Sequence, residues 1–201
     1  MTEAAVIERA VDEVVIRHAE LADLDAILTL EDSGFDNASR WSAESWAAEL
    51  RGADRCVLVA HRWLSLSKSG SSDPAWSLQR ARQARPTDTP VSLQARPAEG
   101  LLGVATFQLV ADTADLHRVV VARDQRGRGI GRALVEAGIT WAAGRHGRRM
   151  LLEVEHDNDP ALALYRRLGF ADLARRRDYY GAGRHALVMQ YDLAGNGELI
   201  G

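Results

Sequence analysis

The six residues RGRGIG, at positions 126–131, stand between an apolar run and a helical pattern. A β-branched stretch, residues 119–121, precedes them, and apolar side chains recur at helical spacing from Ile130 onward. This arrangement predicts a strand, a glycine-rich turn and an amphipathic helix that ends near Gly144 or Gly147.

A turn of this kind can hold an anion. The first N–H groups of a helix have no intrahelical partner, and they lie at the positive end of the helix dipole. Gly127, Gly129 and Gly131 lack the Cβ atoms that would keep the backbone away from a pyrophosphate. Arg126 and Arg128 add positive charge beside the same turn.

The spacing of the glycines excludes two common nucleotide-binding motifs. A dinucleotide fingerprint requires a third glycine where this chain has Arg132, and a Walker loop requires Gly-Lys-Ser/Thr, which the sequence lacks. Spacing alone leaves a second interpretation open, in which the glycines only permit a tight connection between strand and helix.

The rest of the chain alternates between strand and helix patterns. In order, the sequence predicts a strand at 14–16, a helix at 21–30, a helix at 43–51 capped by Ser42, a strand at 56–60, a hairpin of strands 101–110 and 115–121, a strand at 150–155, a helix capped by Asp159 with Pro160 in its first turn, and strands at 170–176 and 186–191. We therefore expect a mixed α/β sheet.

The length of 201 residues suits a single domain, which we place at 13–193. Residues 62–98 are rich in Ser, Gln and Arg and hold four of the five prolines. This segment is predicted to be a flexible insertion between two strands, although its tryptophans and basic residues could instead form a docking surface. Residues 1–12 and 194–201 are predicted tails.

The composition is that of an ordinary globular protein, with 46% hydrophobic and 26% charged residues. The net charge of −3 gives no pull toward nucleic acid or an anionic membrane, and Cys56, the single cysteine, excludes an internal disulfide. With no run long enough to span a bilayer, these features predict a cytoplasmic protein. His156 and Asp157 are adjacent on a strand end and point to different sides, so no metal site is expected.

The glycine-rich turn and the residues before it resemble the acetyl-CoA motif of the GNAT acetyltransferase superfamily. Downstream segments look like the RimI-type branch, whose members acetylate the N-terminal alanine of a ribosomal protein. The matching segments are Leu152-Glu153-Val154, Asn158, Ala163-Leu164-Tyr165, Leu168-Gly169-Phe170, Arg176-Arg177-Asp178-Tyr179-Tyr180 and Ala186-Leu187-Val188-Met189. The resemblance covers residues 100–192 well and residues 13–61 weakly.

The resemblance implies a GNAT-like α/β fold, with a mixed, mostly antiparallel central sheet of about seven strands flanked by about four helices. It also implies acetyl-CoA as co-substrate and no metal. The residues that it assigns to the cofactor are Val119, Val120 and Val121 along the pantetheine arm, Arg126, Gly127, Arg128, Gly129, Ile130, Gly131 and Arg132 around the pyrophosphate, and Asn158.

By the same resemblance, Glu153 is the general base and Tyr165 the general acid. Acyl transfer to an amine needs a neutral amine and a protonated leaving thiolate, so these residue types suit the chemistry. Glu153 interrupts an apolar run, where desolvation would make it a stronger base. Alternatives remain open, because Glu153 could be a surface glutamate and Tyr165 a core aromatic on the inward stripe of its helix.

The resemblance implies a protein N-terminus as substrate, such as the alanine of ribosomal protein S18, without direct nucleic-acid contact. An α-amine costs roughly 3 kcal/mol less to deprotonate at neutral pH than a lysine, which favours N-termini for a modest base. Two departures from the family are Arg118, where relatives often have asparagine, and His185, where they have an acid. Substrate contacts are predicted for Phe35, Trp41, Tyr179 and Tyr180. A small-molecule amine and a non-catalytic CoA-binding role are the alternatives.

Overall fold

A seven-stranded sheet forms the centre of the computed structural model, which describes residues 14–34, 40–62 and 100–195. Its strands are β1 (Val14–His18), β2 (Arg55–Arg62), β3 (Gly103–Val110), β4 (Thr113–Val121), β5 (Arg149–Glu155), β6 (Ala171–Arg176) and β7 (Ala186–Asp192). Their order across the sheet is β1-β2-β3-β4-β5-β7-β6. Every neighbouring pair is antiparallel except β4 and β5.

Four α-helices cover this sheet in the described ranges. They are α1 (Leu24–Gly34), α2 (Ala43–Arg51), α3 (Ile130–Ala143) and α4 (Asp159–Arg167). Together with the strand directions, they confirm the predicted mixed and mostly antiparallel α/β fold. None of these helices has the length and apolar character needed to cross a lipid bilayer.

The two faces of the sheet carry separate hydrophobic cores. On one face, α3 and α4 pack over a cluster that includes Phe107, Leu134 and Leu152. On the other, α1 and α2 pack over a cluster that includes Ile27 and Val59. Successive side chains of a strand point to opposite faces, and β2, β3 and β4 contribute buried residues to both cores.

Helix α3 lies very close to the sheet. A Cβ atom added at Gly138 would lie 2.1 Å from Cζ of Phe107, which is closer than two carbon atoms can approach. The phenyl ring therefore occupies the space that a side chain at this position would need. This packing fixes the distance of α3, and of the turn that begins it, from β3.

Most predicted boundaries are confirmed, and two local details were wrong. The β3–β4 loop has two residues, Ala111 and Asp112, rather than four, because β4 begins at Thr113. The cap of α4 is Asn158, whose side-chain oxygen accepts a hydrogen bond from the N–H of Ala161 at 3.3 Å, whereas Asp159 lies inside the first turn.

The predicted cap of α2 is confirmed, because Oγ of Ser42 accepts a hydrogen bond from the N–H of Ser45 at 3.2 Å. Nearly all of the predicted insertion lies outside the described residues, as do residues 1–13 and 196–201. The division of the chain into one domain, an insertion and two tails therefore stays a prediction.

Candidate active site

A wedge opens in the sheet between β4 and β5. The two strands pair in parallel only from Thr113 to Leu116 of β4, opposite Arg149 to Leu152 of β5. Beyond Leu116, no described strand pairs with β4 on this side, although β3 continues to pair with it as far as Val121. The main chain of residues 117–121 thus forms one open wall of the wedge.

The cause of the wedge is a β-bulge in β4. Phe107 pairs with Leu116 and Thr106 pairs with Arg118, which leaves His117 as an extra residue. A bulge bends its strand and increases the local twist, so the second half of β4 turns away from β5. The latter half of β5 instead continues its antiparallel pairing with β7.

The glycine-rich turn lies at the end of this open β4 wall. Gly127 has φ of 77° and Gly129 has φ of 83°, both in the left-handed region that favours glycine. Gly129 is also the N-cap of α3, so the unpartnered N–H groups of the helix begin here. These N–H groups are of the kind that can hold an anion, and the binding of a pyrophosphate by the turn stays a prediction.

The arginines of the turn differ in their contacts. Arg132 pairs with Glu136 at 2.9 Å, one helical turn further along α3. Nε of Arg126 donates a hydrogen bond to the carbonyl of Val121 at 3.1 Å, so its side chain braces the turn. Arg128 is exposed, and its side chain makes no ion pair or hydrogen bond within the described ranges.

Two arginines attach the turn to the end of α1. Nε of Arg123 donates to the carbonyl of Ser33 at 2.6 Å, and Arg126 donates to the carbonyl of Gly34 at 3.5 Å. Both carbonyls belong to the last turn of α1, where cations interact favourably with the negative end of the helix dipole. The turn and α1 are thereby held in a fixed relation.

Glu153 lies on β5 beside the wedge, but not in the apolar surroundings that its sequence neighbours predicted. Leu152 and Val154 point into the core under α3 and α4, so alternation places Glu153 on the opposite face. Its side chain is 30% exposed and pairs with Arg176 at 3.1 Å. The predicted desolvation of Glu153 is wrong, whereas its role as the base stays a prediction.

Tyr165 lies on α4 at the other face of the sheet and is buried. Its ring packs edge-on against Phe170, with 5.7 Å between the ring centroids. Burial, together with the neighbouring Tyr180 phenol, raises the pKa of Tyr165 above its ordinary value. The hydroxyl therefore stays protonated at neutral pH and can act as a hydrogen-bond donor.

Tyr180, in the turn between β6 and β7, connects these two residues. Its hydroxyl donates a hydrogen bond to the main-chain carbonyl of Glu153 at 3.1 Å. Burial, with smaller contributions from the charges of Tyr179, Glu153 and Glu155, raises the pKa of Tyr180 to about 12. Tyr180 thus lies beside the wedge. Tyr179 is more exposed, and its ring packs edge-on against the ring of Tyr180, with the two centroids 4.9 Å apart.

Arg118 occupies the position where the family often has asparagine. Its guanidinium forms an ion pair with Glu31 of α1 and lies over the ring of Trp41, 5.1 Å from the centroid. The main-chain N–H of Trp41 donates a hydrogen bond to the carboxylate of Glu31 at 3.0 Å. The structure therefore brings Trp41 to the face of the sheet that carries Glu153. Phe35, the other residue predicted here, lies outside the described residues.

Glu31 is a residue that sequence reasoning missed. Its side chain is 1% exposed, yet it is an acid on the core-facing side of α1, four residues after the buried Ile27. That helical spacing was the available signal, because an acid on an apolar stripe needs a buried partner. The partner, Arg118, is 87 residues further along the chain.

His185 serves the β6–β7 turn, since its Nδ1 accepts a hydrogen bond from the N–H of Asp178 at 3.0 Å. Asn158 is exposed at the start of α4, on the same helix as Tyr165. Across the described residues, no three His, Cys, Asp or Glu side chains gather as ligands for a metal ion.

The sequence profile of the Acetyltransferase (GNAT) family matches residues 57–170, which is more than half of the chain. The chain belongs to this family. The β4–β5 wedge and the glycine-rich turn both lie within the matched region.

Comparisons with individual GNAT proteins show partial similarity. The chain is 38% identical to the N-alpha-acetyltransferase RimI of Mycobacterium tuberculosis over 103 residues, which cover 49% of this chain and 63% of that protein. It is 41% identical to the mycothiol acetyltransferase of Clavibacter michiganensis over 88 residues, covering 43% of this chain and 29% of that one. The chain thus spans less than two thirds of the length of either curated relative.

A solved GNAT structure resembles this one over nearly its full length. The crystal structure of the ribosomal-protein-S18-alanine N-acetyltransferase from Escherichia coli superposes with a TM-score of 0.66 and 24% identity. The match covers 94% of this chain and 99% of that structure. At this level of identity the comparison shows a shared fold.

Proposed function

We propose that this chain transfers the acetyl group of acetyl-CoA to the α-amine of a protein N-terminus, with alanine as the first residue. The observation that carries the proposal is the β4–β5 wedge next to the glycine-rich turn, with Glu153 on one face of β5 and Tyr165 in the core on the opposite face. The names of the RimI relative and of the similar E. coli structure support an α-amine as acceptor.

The residues around the wedge fit acetyl-CoA. Along Val119, Val120 and Val121, the main-chain N–H and C=O groups that point away from β3 can pair with the amides of the pantetheine arm. The N–H groups from Gly127 to Arg132 would hold the pyrophosphate, and the exposed Arg128 would add its charge. Asn158, at the start of α4, would contact the arm through its side-chain NH₂ group, which the capping bond does not use.

Acetyl-CoA supplies an activated thioester, and transfer forms an N–C bond while the C–S bond breaks. Glu153 is the group that accepts the proton lost by the amine, directly or through a water molecule. Its ion pair with Arg176 uses Oε1, so Oε2 is the oxygen assigned to the proton. The same ion pair fixes the direction of the carboxylate.

Tyr165 stabilises the leaving thiolate. A free thiol has a pKa of about 8.5 and an ordinary phenol about 10, and burial raises the pKa of Tyr165 further. The same burial would raise the pKa of the departing thiol, so Tyr165 can donate a hydrogen bond to the developing thiolate and pass its proton to the sulfur. Glu153 then releases the proton taken from the amine, and Tyr165 regains one, through solvent.

A small-molecule amine is the second candidate substrate. The mycothiol acetyltransferase relative supports it, because its identity to this chain is no lower than that of the RimI relative. Trp41 and Tyr180 support a peptide instead, because Trp41 packs against Arg118 of β4, Tyr180 contacts Glu153 of β5, and the neighbouring Tyr179 is exposed to a large substrate. A non-catalytic role would leave unexplained why the chain carries both a carboxylate, Glu153, and a protonated phenol, Tyr165, of the types that acetyl transfer needs.

A direct test incubates the purified chain with labelled acetyl-CoA and three kinds of acceptor. These are a peptide that copies the N-terminus of ribosomal protein S18, the same peptide with a blocked N-terminus and an added lysine, and a panel of small amines. We expect label on the first peptide only, and strongly reduced label with Glu153→Gln or Tyr165→Phe. Label confined to the small amines would replace the proposal with the second candidate, and no label on any acceptor would end both.

A further inference from the structure

A buried carboxylate of α2 lies against the bulge of β4. The side chain of Glu49 is 10% exposed, and its Oε2 accepts a hydrogen bond from Oγ1 of Thr106 at 2.6 Å. Thr106 is a fully buried residue of β3, at the point where the pairing between β3 and β4 shifts by one residue. Glu49 therefore holds the β3 side of the bulge.

The other oxygen of Glu49 holds the β4 side. Oε1 lies 3.0 Å from Nη1 of Arg55 and 3.5 Å from Nδ1 of His117, the extra residue of the bulge. Nη1 of Arg55 lies 2.9 Å from the same Nδ1, and because a guanidinium can only donate, Nδ1 is the acceptor. One carboxylate thus connects α2 to both strands of the bulge, directly at Thr106 and through Arg55 at His117.

The bulge places two basic residues in succession on one face of β4. Leu116 and Val119 are three residues apart, yet both pack in the core under α3 and α4. Because the side chains of a regular strand alternate, this requires His117 and Arg118 to point together to the opposite face. On that face, the ring centroid of Trp41 lies 6.5 Å from that of His117 and 5.1 Å from the guanidinium carbon of Arg118.

Both bulge residues are tied to a buried acid, each from a different helix. Arg118 pairs with Glu31 of α1. His117 is held by Glu49 of α2, through the contacts described above. Without the bulge, alternation would turn one of the two basic side chains into the apolar core, away from its partners, and burial of an unpaired polar group is unfavourable. The two acids therefore stabilise the bulged form of β4.

We propose that Glu49 is a positioning residue for acetyl transfer, which fixes the bulge of β4 and thereby the open edge at residues 117–121 that receives acetyl-CoA. The bulge turns this edge away from β5, and hydrogen bonds to it depend on the direction of each main-chain group. An edge that is fixed in advance binds its ligand more tightly than a mobile one. This inference rests on the proposed use of acetyl-CoA and adds the residue that shapes its strand.

Two variants test the proposal through CoA binding. Glu49→Ala removes the carboxylate, and Thr106→Val removes one hydrogen bond to it with little change in shape. We expect the Kd of CoA, measured by calorimetry, to rise about tenfold or more in Glu49→Ala and about fivefold in Thr106→Val, the latter being the size of one hydrogen bond. In the transfer assay, KM for acetyl-CoA should rise with the Kd, while KM for the acceptor peptide stays within about twofold.

Asp23→Ala is the matched control. Asp23 is also a buried acid, with a side chain that is 11% exposed, and it pairs with Arg17 of β1 at 2.7 Å. Strand β1 lies three strands away from β4 in the sheet. This variant should lose stability as well, but its Kd for CoA should stay within about twofold. Destabilisation alone lowers the folded fraction and does not raise the KM of one substrate selectively.

Hydrogen–deuterium exchange tests the bulge without any ligand. The segment 114–122 should exchange faster in Glu49→Ala and Thr106→Val than in the unaltered chain, and at an unchanged rate in Asp23→Ala. If Glu49→Ala does not fold, Thr106→Val decides the test.

Two results would overturn the inference while leaving acetyl transfer intact. One is a Kd for CoA in the bulge variants that matches that of Asp23→Ala. The other is unchanged exchange of segment 114–122 in those variants. An unaltered chain that binds no CoA would instead contradict the proposed function, and the exchange rates would then still decide whether Glu49 holds the bulge.

Discussion

The guanidinium of Arg118 and the carboxylate of Glu31 form a two-point ion pair that joins β4 to α1. Nε of Arg118 donates to Oε2 of Glu31 at 3.2 Å, and Nη2 contacts Oε1. The side chains are only 12% and 1% exposed. Glu31 also accepts a hydrogen bond from the main-chain N–H of Trp41, which holds the chain at this residue. The ion pair thus holds β4, which borders the wedge, to α1, the helix that precedes the predicted substrate residues Phe35 and Trp41 in the sequence.

Breaking this pair should destabilise the protein strongly. We expect Glu31→Gln to lower the free energy of unfolding by about 3–5 kcal/mol, because it leaves the guanidinium of Arg118 buried without its counter-ion. Urea denaturation followed by tryptophan fluorescence measures the change. Asp32→Asn is the control, because Asp32 lies on the exposed side of the same helix. Its side chain is 66% exposed, and its Oδ1 pairs with Nη1 of Arg40 at 2.7 Å. Its cost should be below about 1 kcal/mol. Equal costs would contradict the structural role of the buried pair.

Replacing Glu153 should affect catalysis rather than cofactor binding. We expect Glu153→Gln to lower kcat by about 100-fold or more, the usual contribution of a positioned base, while the Kd of acetyl-CoA stays within about twofold. Steady-state kinetics and calorimetry measure the two quantities. Asp172→Asn, which removes a carboxylate on β6 that is 48% exposed compared with 30% for Glu153, should leave both unchanged. A fully active Glu153→Gln would transfer the role of the base to another group.

The raised pKa of Tyr180 predicts that the free energy of unfolding falls at alkaline pH. A folded-state pKa of about 12 for Tyr180, above the ordinary value of 10, means that the folded protein holds this proton more tightly than the unfolded chain. The associated stability is complete below pH 10 and is lost as the pH rises toward 12. In Tyr180→Phe, the decline of stability over this range should be shallower. Urea unfolding at a series of alkaline pH values checks this, and parallel declines in both proteins would contradict it.

The sequence predicted the elements with strong local signals and missed those that depend on distant residues. The turn at 126–131 was predictable because left-handed φ values favour glycine, and the helices because apolar spacing continues over several turns. The wedge was not, because the extra residue in β4, His117, is defined only by its pairing with β3. Residue types within a single strand carry no mark of such a bulge.

Glu153 shows why the surroundings of a site residue were harder to predict than its identity. Its apolar neighbours in the sequence point to the other face of the sheet, and its actual neighbour, Arg176, comes from a strand that is not adjacent in the sheet. The cap of α4 differed for a simpler reason. Asn158 and Asp159 are adjacent and both can cap, so composition could not choose between them.

Cys56 should be unreactive in the folded protein. The thiol is 1% exposed, and burial raises its pKa to about 12, so the thiolate is scarce at neutral pH. We expect a chromogenic disulfide reagent to label Cys56 only after unfolding in urea, with one thiol per chain. Rapid labelling of the native protein at neutral pH would show that β2 opens locally under native conditions.

Two glycine substitutions separate the possible roles of the turn. In Gly127→Ala, the new Cβ meets no atom within 4 Å, but φ of 77° is unfavourable for alanine by about 1–2 kcal/mol. We expect both the free energy of unfolding and the affinity for CoA to fall, since relaxation of the strain would turn the N–H groups away from the anion. Urea denaturation and calorimetry with CoA measure the two effects.

Gly131→Ala should act on the ligand alone. Gly131 has helical geometry, and an added Cβ would lie 3.5 Å from Leu164 and from Val121, which is ordinary van der Waals contact. Stability should therefore be retained or rise slightly, because alanine favours a helix over glycine by up to about 1 kcal/mol. Affinity for CoA should fall about tenfold or more, if the missing Cβ lets the pyrophosphate approach the backbone. Undiminished affinity would mean that the pyrophosphate does not need the absence of a Cβ atom at Gly131.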